Sequence, residues 1–229
     1  MLEFIWHARG GQGAFTAARC LGAAAALSAG VNALAFPTFG PERRGAPMRA
    51  FTKLSEDPIG DRSAVTRAQF VIYLDETLME DGWEEELAEG GRVLLNTRRD
   101  VEDPRIVAID ADGISSEILG RPIPNTVFLG AIPALTDAVS INDIHEGIRA
   151  TMPAKLHEKN LAIVDAAYKQ LADREIAEVR AFVEGEEPAV EVTQTLTDKD
   201  PMFTLAAELL VEGDELAEGE GRGSNGRDF

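Results

Sequence analysis

Short apolar runs alternate with helix-forming segments along the first 180 or so residues of the chain. The first run, residues 2–6, is followed by glycines at positions 10, 11 and 13 and then by Ala14–Leu27, which is rich in good helix formers. This order predicts a strand, a glycine turn and a helix at the start of the chain.

The same reasoning predicts five more strands and four more helices. The strands lie at residues 31–36, 48–54, 70–74, 92–96 and 105–110. The helices lie at residues 77–89, around residues 129–131, at 141–151 with Asn142 as the cap, and at 155–171. Strands that alternate with helices imply crossover units. The predicted fold class is therefore α/β: a Rossmann-like, mostly parallel sheet with flanking helices, plus an acidic C-terminal extension.

The composition changes at Glu184, which predicts two parts of the chain. With 229 residues, 45% of them hydrophobic, the chain can build one sizeable core, and we assign this core to an α/β domain at residues 1–183. Residues 184–229 are acidic and glycine-rich, and we expect this extension to be partly disordered or wrapped on a partner. Its short apolar run, residues 202–211, should dock on this domain or on a partner, because it is too short to be a stable helix alone.

The loop between the first strand and the first helix has the composition of an anion site. Glycines let the backbone take positive φ and approach a ligand closely, and the free N–H groups of a helix N-terminus attract anions. The dinucleotide fingerprint G-x-G-x-x-G is incomplete, because Thr16 stands at the third glycine position. Two interpretations stay open on the pattern alone: a site for a phosphate or another anion, and a tight turn that needs glycine for its shape.

A second irregular loop, residues 37–47, contains three prolines, two glycines and the adjacent Arg43 and Arg44. Proline and glycine at this density exclude regular structure. Two arginines in a rigid loop favour contact with a carboxylate or a phosphate, and a surface ion pair with Glu42 or another acid is the alternative. Asp75 ends a predicted buried strand, and the carboxyl end of such a strand often meets a ligand crevice.

The net charge of −18 and the pI near 4.5 argue against nucleic acid and against an anionic membrane as partners. No apolar run reaches the roughly 20 residues that span a bilayer, and the N-terminus lacks the pattern of a secretory signal. A cytoplasmic location is therefore expected.

Cysteine and histidine are too few, and too far apart, for a metal centre. The single cysteine, Cys20, cannot hold an iron–sulfur cluster and should be buried in the first helix. The three histidines show no ligand spacing. We predict no metal site and no catalytic residues, because no acid–base constellation is visible either.

Residues 10–14 together with residues 36–47 resemble the gamma subunit, or gamma domain, of the 2-oxoacid:ferredoxin oxidoreductases, of which pyruvate:ferredoxin oxidoreductase is the best-known member. Residues 57–59, 70–75 and 160–162 match the same pattern. The resemblance covers about residues 2 to 175, and the long proline–arginine loop makes it specific.

The resemblance implies a part in oxidative decarboxylation. In that family a 2-oxoacid reacts with coenzyme A (CoA) to give an acyl-CoA and carbon dioxide, and the electrons pass to ferredoxin, or to NAD through a further flavin subunit. Thiamine diphosphate, Mg and iron–sulfur clusters are expected in partner subunits, namely alpha, beta and, in some members, delta. This chain is then expected to be non-redox, to hold no cofactor alone, and to support CoA binding and assembly.

The need of this family for CoA suggests an occupant for both loops. The glycine loop would take phosphate oxygens through backbone N–H groups, and the arginines would supply charge to CoA or across a subunit interface. The residues expected to contact CoA are Gly10, Gly11, Gln12, Gly13, Ala14, Arg43 and Arg44.

Two other functions stay open. A free-standing nucleotide-binding protein, such as a small NAD-dependent enzyme, is disfavoured by the missing third glycine and by Phe36 and Pro37, which stand where an acidic residue is expected after the second strand. A purely structural assembly subunit with an empty glycine loop cannot be separated from a CoA-binding one by sequence. The 2-oxoacid cannot be read either, since its pocket is expected in other chains.

Overall fold

A computed structural model describes residues 1–27, 31–38 and 44–183 of the chain. The strands are β1 Leu2–Arg9, β2 Asn32–Pro37, β3 Pro47–Ser55, β4 Ala68–Tyr73, β5 Leu87–Asn96 and β6 Ile106–Ile109. The α-helices are α1 Ala14–Leu27, α2 Ala111–Leu119, α3 Asn125–Ala131, α4 Ile141–Thr151 and α5 His157–Val183. Residues Met1–Leu171 form one compact unit, and a second unit begins at Ala172. The extension predicted at 184–229 lies outside the described residues, and the division at residue 183 stays a prediction.

The sheet is mixed, with the strand order β2-β3-β1-β4-β5-β6. β1, β4, β5 and β6 are parallel neighbours, whereas β3 pairs antiparallel with both β1 and β2. Five of these six strands therefore point the same way, and β3 runs against them. The predicted α/β fold with a mostly parallel sheet and flanking helices is confirmed. β4 shows why its sequence is a continuous apolar run: Phe70, Val71 and Ile72 are buried on alternate faces of the sheet.

Helices α1 to α4 and the part of α5 up to Leu171 pack on one face of the sheet. Their buried residues form one apolar cluster with Phe4, Trp6 and Leu94 of that face. α1 is rich in alanine and approaches α4 closely, so that a Cβ added to Gly147 would lie 2.5 Å from the carbonyl oxygen of Cys20. The predicted burial of Cys20 is confirmed.

The opposite face is covered by loops and by two single-turn 3-10 helices, Glu76–Leu78 and Trp83–Glu86. The helix predicted at residues 77–89 is therefore wrong. Gly82 adopts a φ of +87° between the two turns, and the chain enters β5 at Leu87. Four apolar side chains of this segment have helical spacing in the sequence but pack singly against the sheet: Leu78, Met79, Trp83 and Leu87.

The caps of two helices also differ from the predictions. α2, which the apolar pattern does not predict, is held at its ends: the carboxylate of Asp110 accepts a hydrogen bond from the first turn, and Gly120 ends the helix in the left-handed region. The cap of α4 is Ser140 rather than Asn142. The Ser140 hydroxyl accepts a hydrogen bond from the N–H of Asp143, and the Asp143 carboxylate accepts one from the N–H of Ser140.

Candidate functional site

The glycine loop, residues 10–13, lies at the carboxyl edge of β1, where the direction of the chain through the sheet reverses. From β1 the chain crosses to β2 on one side, and from β3 it returns to β4 on the other side of β1. The crevice outside such a reversal is where open α/β sheets bind ligands. Here it is flanked by the glycine loop and by the turn at residues 75–77, which follows β4.

Two glycines of this loop are required by its shape. Gly11 and Gly13 have φ values of +100° and +86°, which other residues rarely adopt. A Cβ added to Gly13 would also lie 2.6 Å from the side-chain nitrogen of Asn125. Shape alone accounts for these two glycines, so the case for a ligand depends on the groups around them.

The N-terminus of α1 opens directly onto the glycine loop. The carbonyl of Gly13 accepts a hydrogen bond from the N–H of Ala17 at 3.0 Å, so the helix begins without a connecting segment. Within the described residues, nothing accepts a hydrogen bond from the N–H groups of Ala14, Phe15 or Thr16. A 14-residue helix with an open first turn attracts an anion.

Gln12 closes the loop on itself. Its carboxamide oxygen accepts a hydrogen bond from the N–H of Arg9 at 2.6 Å, and its own N–H donates to the carbonyl of Arg9 at 3.0 Å. This pair of bonds fixes the turn before the glycines. The carboxamide oxygen is therefore occupied, which leaves Gln12 with its side-chain NH2 group for a ligand.

Arg9, which sequence reasoning missed, spans the crevice between β1 and β4. Its guanidinium donates to the carboxylate of Asp75 at 2.9 Å, to the hydroxyl of Thr77 at 2.8 Å and to the carbonyl of Gly45 at 3.3 Å. Burial raises the pKa of Asp75, but the hydrogen bonds from Thr77 and Arg9 outweigh it, so the pKa lies below its ordinary value. The crevice is thus braced by a charge-assisted network.

The arginine-bearing loop reaches the glycine loop through backbone bonds. The N–H of Gly10 donates to the carbonyl of Ala46 at 2.8 Å, and the N–H of Gly45 donates to the carbonyl of Gly10 at 2.9 Å. Arg44 is exposed, and its Cγ lies 3.9 Å from where a Cβ on Gly11 would be. The structure therefore brings Arg44 together with residues 10–14. Arg43 lies outside the described residues.

Asn125 at the start of α3 is a second residue that the sequence did not single out. It is 6% exposed, and its side-chain nitrogen donates to the carbonyl of Gly13 at 3.3 Å. Its side-chain oxygen is buried and has no hydrogen-bond partner among residues 1–27, 31–38 and 44–183. An unpaired buried acceptor of this kind costs on the order of 1–3 kcal/mol, and here it belongs to a side chain that contacts the glycine loop.

The described part of the chain bears on three further possibilities: a metal site, a membrane-spanning helix and a reactive thiol. It contains no group of three or more histidine, cysteine or acidic side chains placed to hold a metal ion, and none of its helices is long and apolar enough to cross a lipid bilayer. Burial raises the pKa of the Cys20 thiol, which makes this cysteine a poor nucleophile.

The fold and the glycine loop agree with a known protein family. Residues 3–170 match the family model described as pyruvate ferredoxin/flavodoxin oxidoreductase. The chain belongs to this family. The gamma-type resemblance predicted from the glycine loop and the proline–arginine loop is confirmed, because curated relatives of this family are named as gamma subunits.

Two curated relatives illustrate the family. Pyruvate synthase subunit PorC of Methanothermobacter marburgensis is 46% identical over 175 residues, which are 75% of this chain and 98% of the relative. The pyruvate/ketoisovalerate oxidoreductases common subunit gamma of Thermococcus kodakarensis is 38% identical over 180 residues, which are 74% of this chain and 97% of the relative. Residues beyond 170 lie outside the family match.

Two solved structures share the fold of this family member. The pyruvate oxidoreductase subunit PORC of Thermotoga maritima has a TM-score of 0.63 and 36% identity, and the match covers 73% of this chain and 95% of that one. The gamma subunit of the keto/oxoacid ferredoxin oxidoreductase of Geobacter sulfurreducens has the same TM-score at 24% identity and shows the fold alone.

Proposed function

We propose that this gamma-type subunit works in a thiamine-diphosphate-dependent complex that oxidatively decarboxylates a 2-oxoacid with CoA. The products are an acyl-CoA and carbon dioxide, and the electrons pass to ferredoxin or, through another subunit, to NAD. Thiamine diphosphate, Mg and the iron–sulfur clusters belong in this proposal to the alpha, beta and delta partners. The part of this chain is to bind the phosphates of CoA at the glycine loop and to support assembly.

The open first turn of α1 is the observation that carries this proposal. Three N–H groups, at residues 14–16, are free at the N-terminus of α1 among the described residues. A ligand can approach them closely, because Gly11 and Gly13 in the adjoining loop have no side chains. Arg44 stands beside Gly11 and supplies positive charge. A pyrophosphate matches this combination in charge and in acceptor number.

The name of one relative adds independent support. The Thermococcus protein is named as a gamma subunit common to pyruvate and ketoisovalerate oxidoreductases. A subunit shared by two enzymes that act on different oxoacids is unsuited to select the oxoacid. In the proposed reaction CoA is used whichever oxoacid reacts, so CoA is a suitable ligand for a site on a shared subunit.

A purely structural assembly subunit is the second candidate. It is favoured by the bonds that already occupy the loop: the Gln12 carboxamide oxygen serves Arg9, and the Arg9 guanidinium serves Asp75, Thr77 and Gly45. In that case the loop is a scaffold and the arginines face a partner subunit. The two functions differ in whether a charge at the loop changes the use of CoA.

Gly13→Asp and Gly13→Asn separate the two functions. Both side chains meet the same Asn125 nitrogen and the same positive φ, which asparagine and aspartate tolerate better than most residues. Only aspartate adds a negative charge at the N-terminus of α1. In the complete complex, we expect the KM for CoA to rise at least tenfold more for the aspartate variant than for the asparagine variant.

The measurement is the CoA dependence of acyl-CoA formation by complexes whose assembly is checked by native mass spectrometry. If the two assembled variants and the wild-type complex depend on CoA equally, the loop does not bind CoA and its function is structural. Loss of assembly in the asparagine variant as well would likewise assign the loop to subunit contacts.

A further inference from the structure

A pocket of about 420 Å³ lies on the loop-covered face of the sheet, at the same carboxyl edge as the glycine loop. Its walls come from β1, from the start of β3 and from the segment that follows β4. The residues used below are His7, Pro47, Arg49, Leu78 and Glu80.

The pocket adjoins the glycine loop through the backbone of β3. Pro47 lines the pocket and pairs with Arg9 in the β1–β3 ladder. The residue before it, Ala46, accepts the hydrogen bond from the N–H of Gly10 at 2.8 Å. Consecutive Cα atoms are about 3.8 Å apart, so the loop contact and the pocket wall lie on neighbouring residues.

Two polar side chains that line the pocket, His7 and Arg49, are held by neighbouring residues. The ring of His7 stacks on Tyr73 with centroids 4.4 Å apart and an interplanar angle of 8°. Its Nε2 lies 2.6 Å from the carboxylate of Glu86, and the guanidinium of Arg49 donates to the same carboxylate at 2.9 Å. Burial raises the pKa of Glu86, but the His7 hydrogen bond and the Arg49 charge outweigh it, so this pKa lies below its ordinary value.

The walls of the pocket suit a flat, uncharged ring rather than a second phosphate. Pro47 and Leu78 offer apolar contact to the faces of an aromatic ring. Glu80 is exposed at the rim, and no bond to its carboxylate exists among the described residues, so this carboxylate can accept a hydrogen bond from an amino group. Arg49, the arginine in the described lining, is already paired with Glu86, so the pocket is less suited to a phosphate than the glycine loop is.

We propose that this pocket binds the adenine ring of the CoA molecule whose phosphates lie at the glycine loop. The proposal rests on the function proposed above and assigns the two ends of one nucleotide to two neighbouring sites. In CoA one ribose joins the ring to the pyrophosphate, which fits a pocket wall one residue from the loop contact. A pocket-lining arginine, Arg49, adds a cation beside the ring.

Leu78→Trp tests the proposal by filling the pocket. In the complete complex, we expect it to raise the KM for CoA at least tenfold and to weaken inhibition by adenosine 3′,5′-bisphosphate to the same degree. Leu27→Trp is the matched control, because Leu27 is 59% exposed at the far end of α1. Glu80→Ala, which removes an exposed side chain and should not affect folding, is expected to weaken bisphosphate inhibition several-fold.

The results of these variants distinguish adenine binding in the pocket from CoA binding at the glycine loop. If Gly13→Asp raises the KM for CoA while Leu78→Trp and Glu80→Ala leave it and the bisphosphate inhibition unchanged, the pocket assignment is wrong and CoA binding at the loop stands. If Gly13→Asp has no effect either, the proposed function has failed with it. Absence of inhibition of the wild-type complex by the bisphosphate would also overturn the pocket assignment.

Discussion

Arg9 connects three segments of the site through one guanidinium group. It ends β1, and it bonds to the turn at residues 75–77 and to the carbonyl of Gly45. Lysine could not replace it, because a single ammonium cannot point at a carboxylate, a hydroxyl and a carbonyl in three directions with the same planar geometry. The spacing of the crevice therefore depends on the identity of this residue.

The Asp75 carboxylate gives a pH-dependent test of that network. Its pKa is lower in the folded chain than the unfolded value of about 4, so it contributes stability above pH of about 4 that is lost as the pH falls through the folded pKa. We expect the free energy of unfolding to differ between the wild type and Asp75→Asn by a constant amount above pH of about 5. The difference should shrink as the pH falls below about 4.

Urea unfolding of the two proteins from about pH 3 to about pH 7 would measure this difference in the free energy of unfolding. A difference that does not change with pH would show that Arg9 and Thr77 bind the carboxylate no better than water does. Asp103→Asn is a useful comparison, since Asp103 also has a lowered pKa but lies away from the crevice beside Arg105.

The sequence could predict the glycines of the site but not the residues that brace it. Gly11 and Gly13 are local signals, because a turn between a strand and a helix needs them where they stand. Arg9 meets Asp75 across 66 residues, and Asn125 meets Gly13 across 112. Such contacts depend on the strand order, which no local pattern contains. For Arg9 the sequence offered one indication of a role in the site: a positive charge directly before the glycine loop.

At the scale of elements, the apolar pattern predicted the strands better than the helices. Every predicted strand appears, because a short apolar run, continuous or alternating with polar residues, is typical of a strand. The segment at residues 77–89 shows the limit. Its apolar residues fit a helix by spacing, yet Gly82 takes a positive φ and the side chains pack on the sheet from single turns. The apolar pattern did not predict α2, because this helix is marked by its caps, Asp110 and Gly120, rather than by apolar spacing.

The contact between α1 and α4 gives a prediction about packing. A Cβ on Gly147 would lie 2.5 Å from the carbonyl oxygen of Cys20 and 2.9 Å from the Cβ of Ala24. Alanine in a helix is favoured over glycine by up to about 1 kcal/mol, but overpacking costs about 1–3 kcal/mol. We expect Gly147→Ala to lower the free energy of unfolding by about 1–2 kcal/mol.

Gly60→Ala is the matched control, because its Cβ would meet nothing within 4 Å and its φ is not positive. Urea unfolding of the two variants would decide the matter. A Gly147→Ala protein as stable as the wild type, or more stable, would mean that α1 and α4 can move apart at little cost.

At the scale of the whole molecule, the charge is distributed unevenly. Residues 184–229 contain thirteen acidic and three basic residues, so this extension carries −10 of the net charge of −18. The family match ends at residue 170. The acidity that argued against nucleic acid and membranes is thus largely a property of the extension and less of the domain that bears the glycine loop.

Truncation tests whether the extension contributes to assembly. We expect a chain that ends after Glu187 to dissociate from the complex at lower salt than the full-length chain, because the apolar run at residues 202–211 would be lost. A chain that ends after Val211 keeps this run and loses most of the acidic tail. Native mass spectrometry across a salt series would measure both, and equal behaviour of all three chains would assign the extension no part in assembly.

The position of β1 in the sheet has a consequence for synthesis. It is synthesised before both of its neighbours, yet it lies between β3 and β4, so after Arg9 has been added its second edge stays unpaired until the chain has grown to Tyr73. At about 5–20 residues per second this takes on the order of ten seconds. Throughout that interval an apolar strand has open hydrogen-bonding edges, and the nascent glycine loop has no finished crevice beside it.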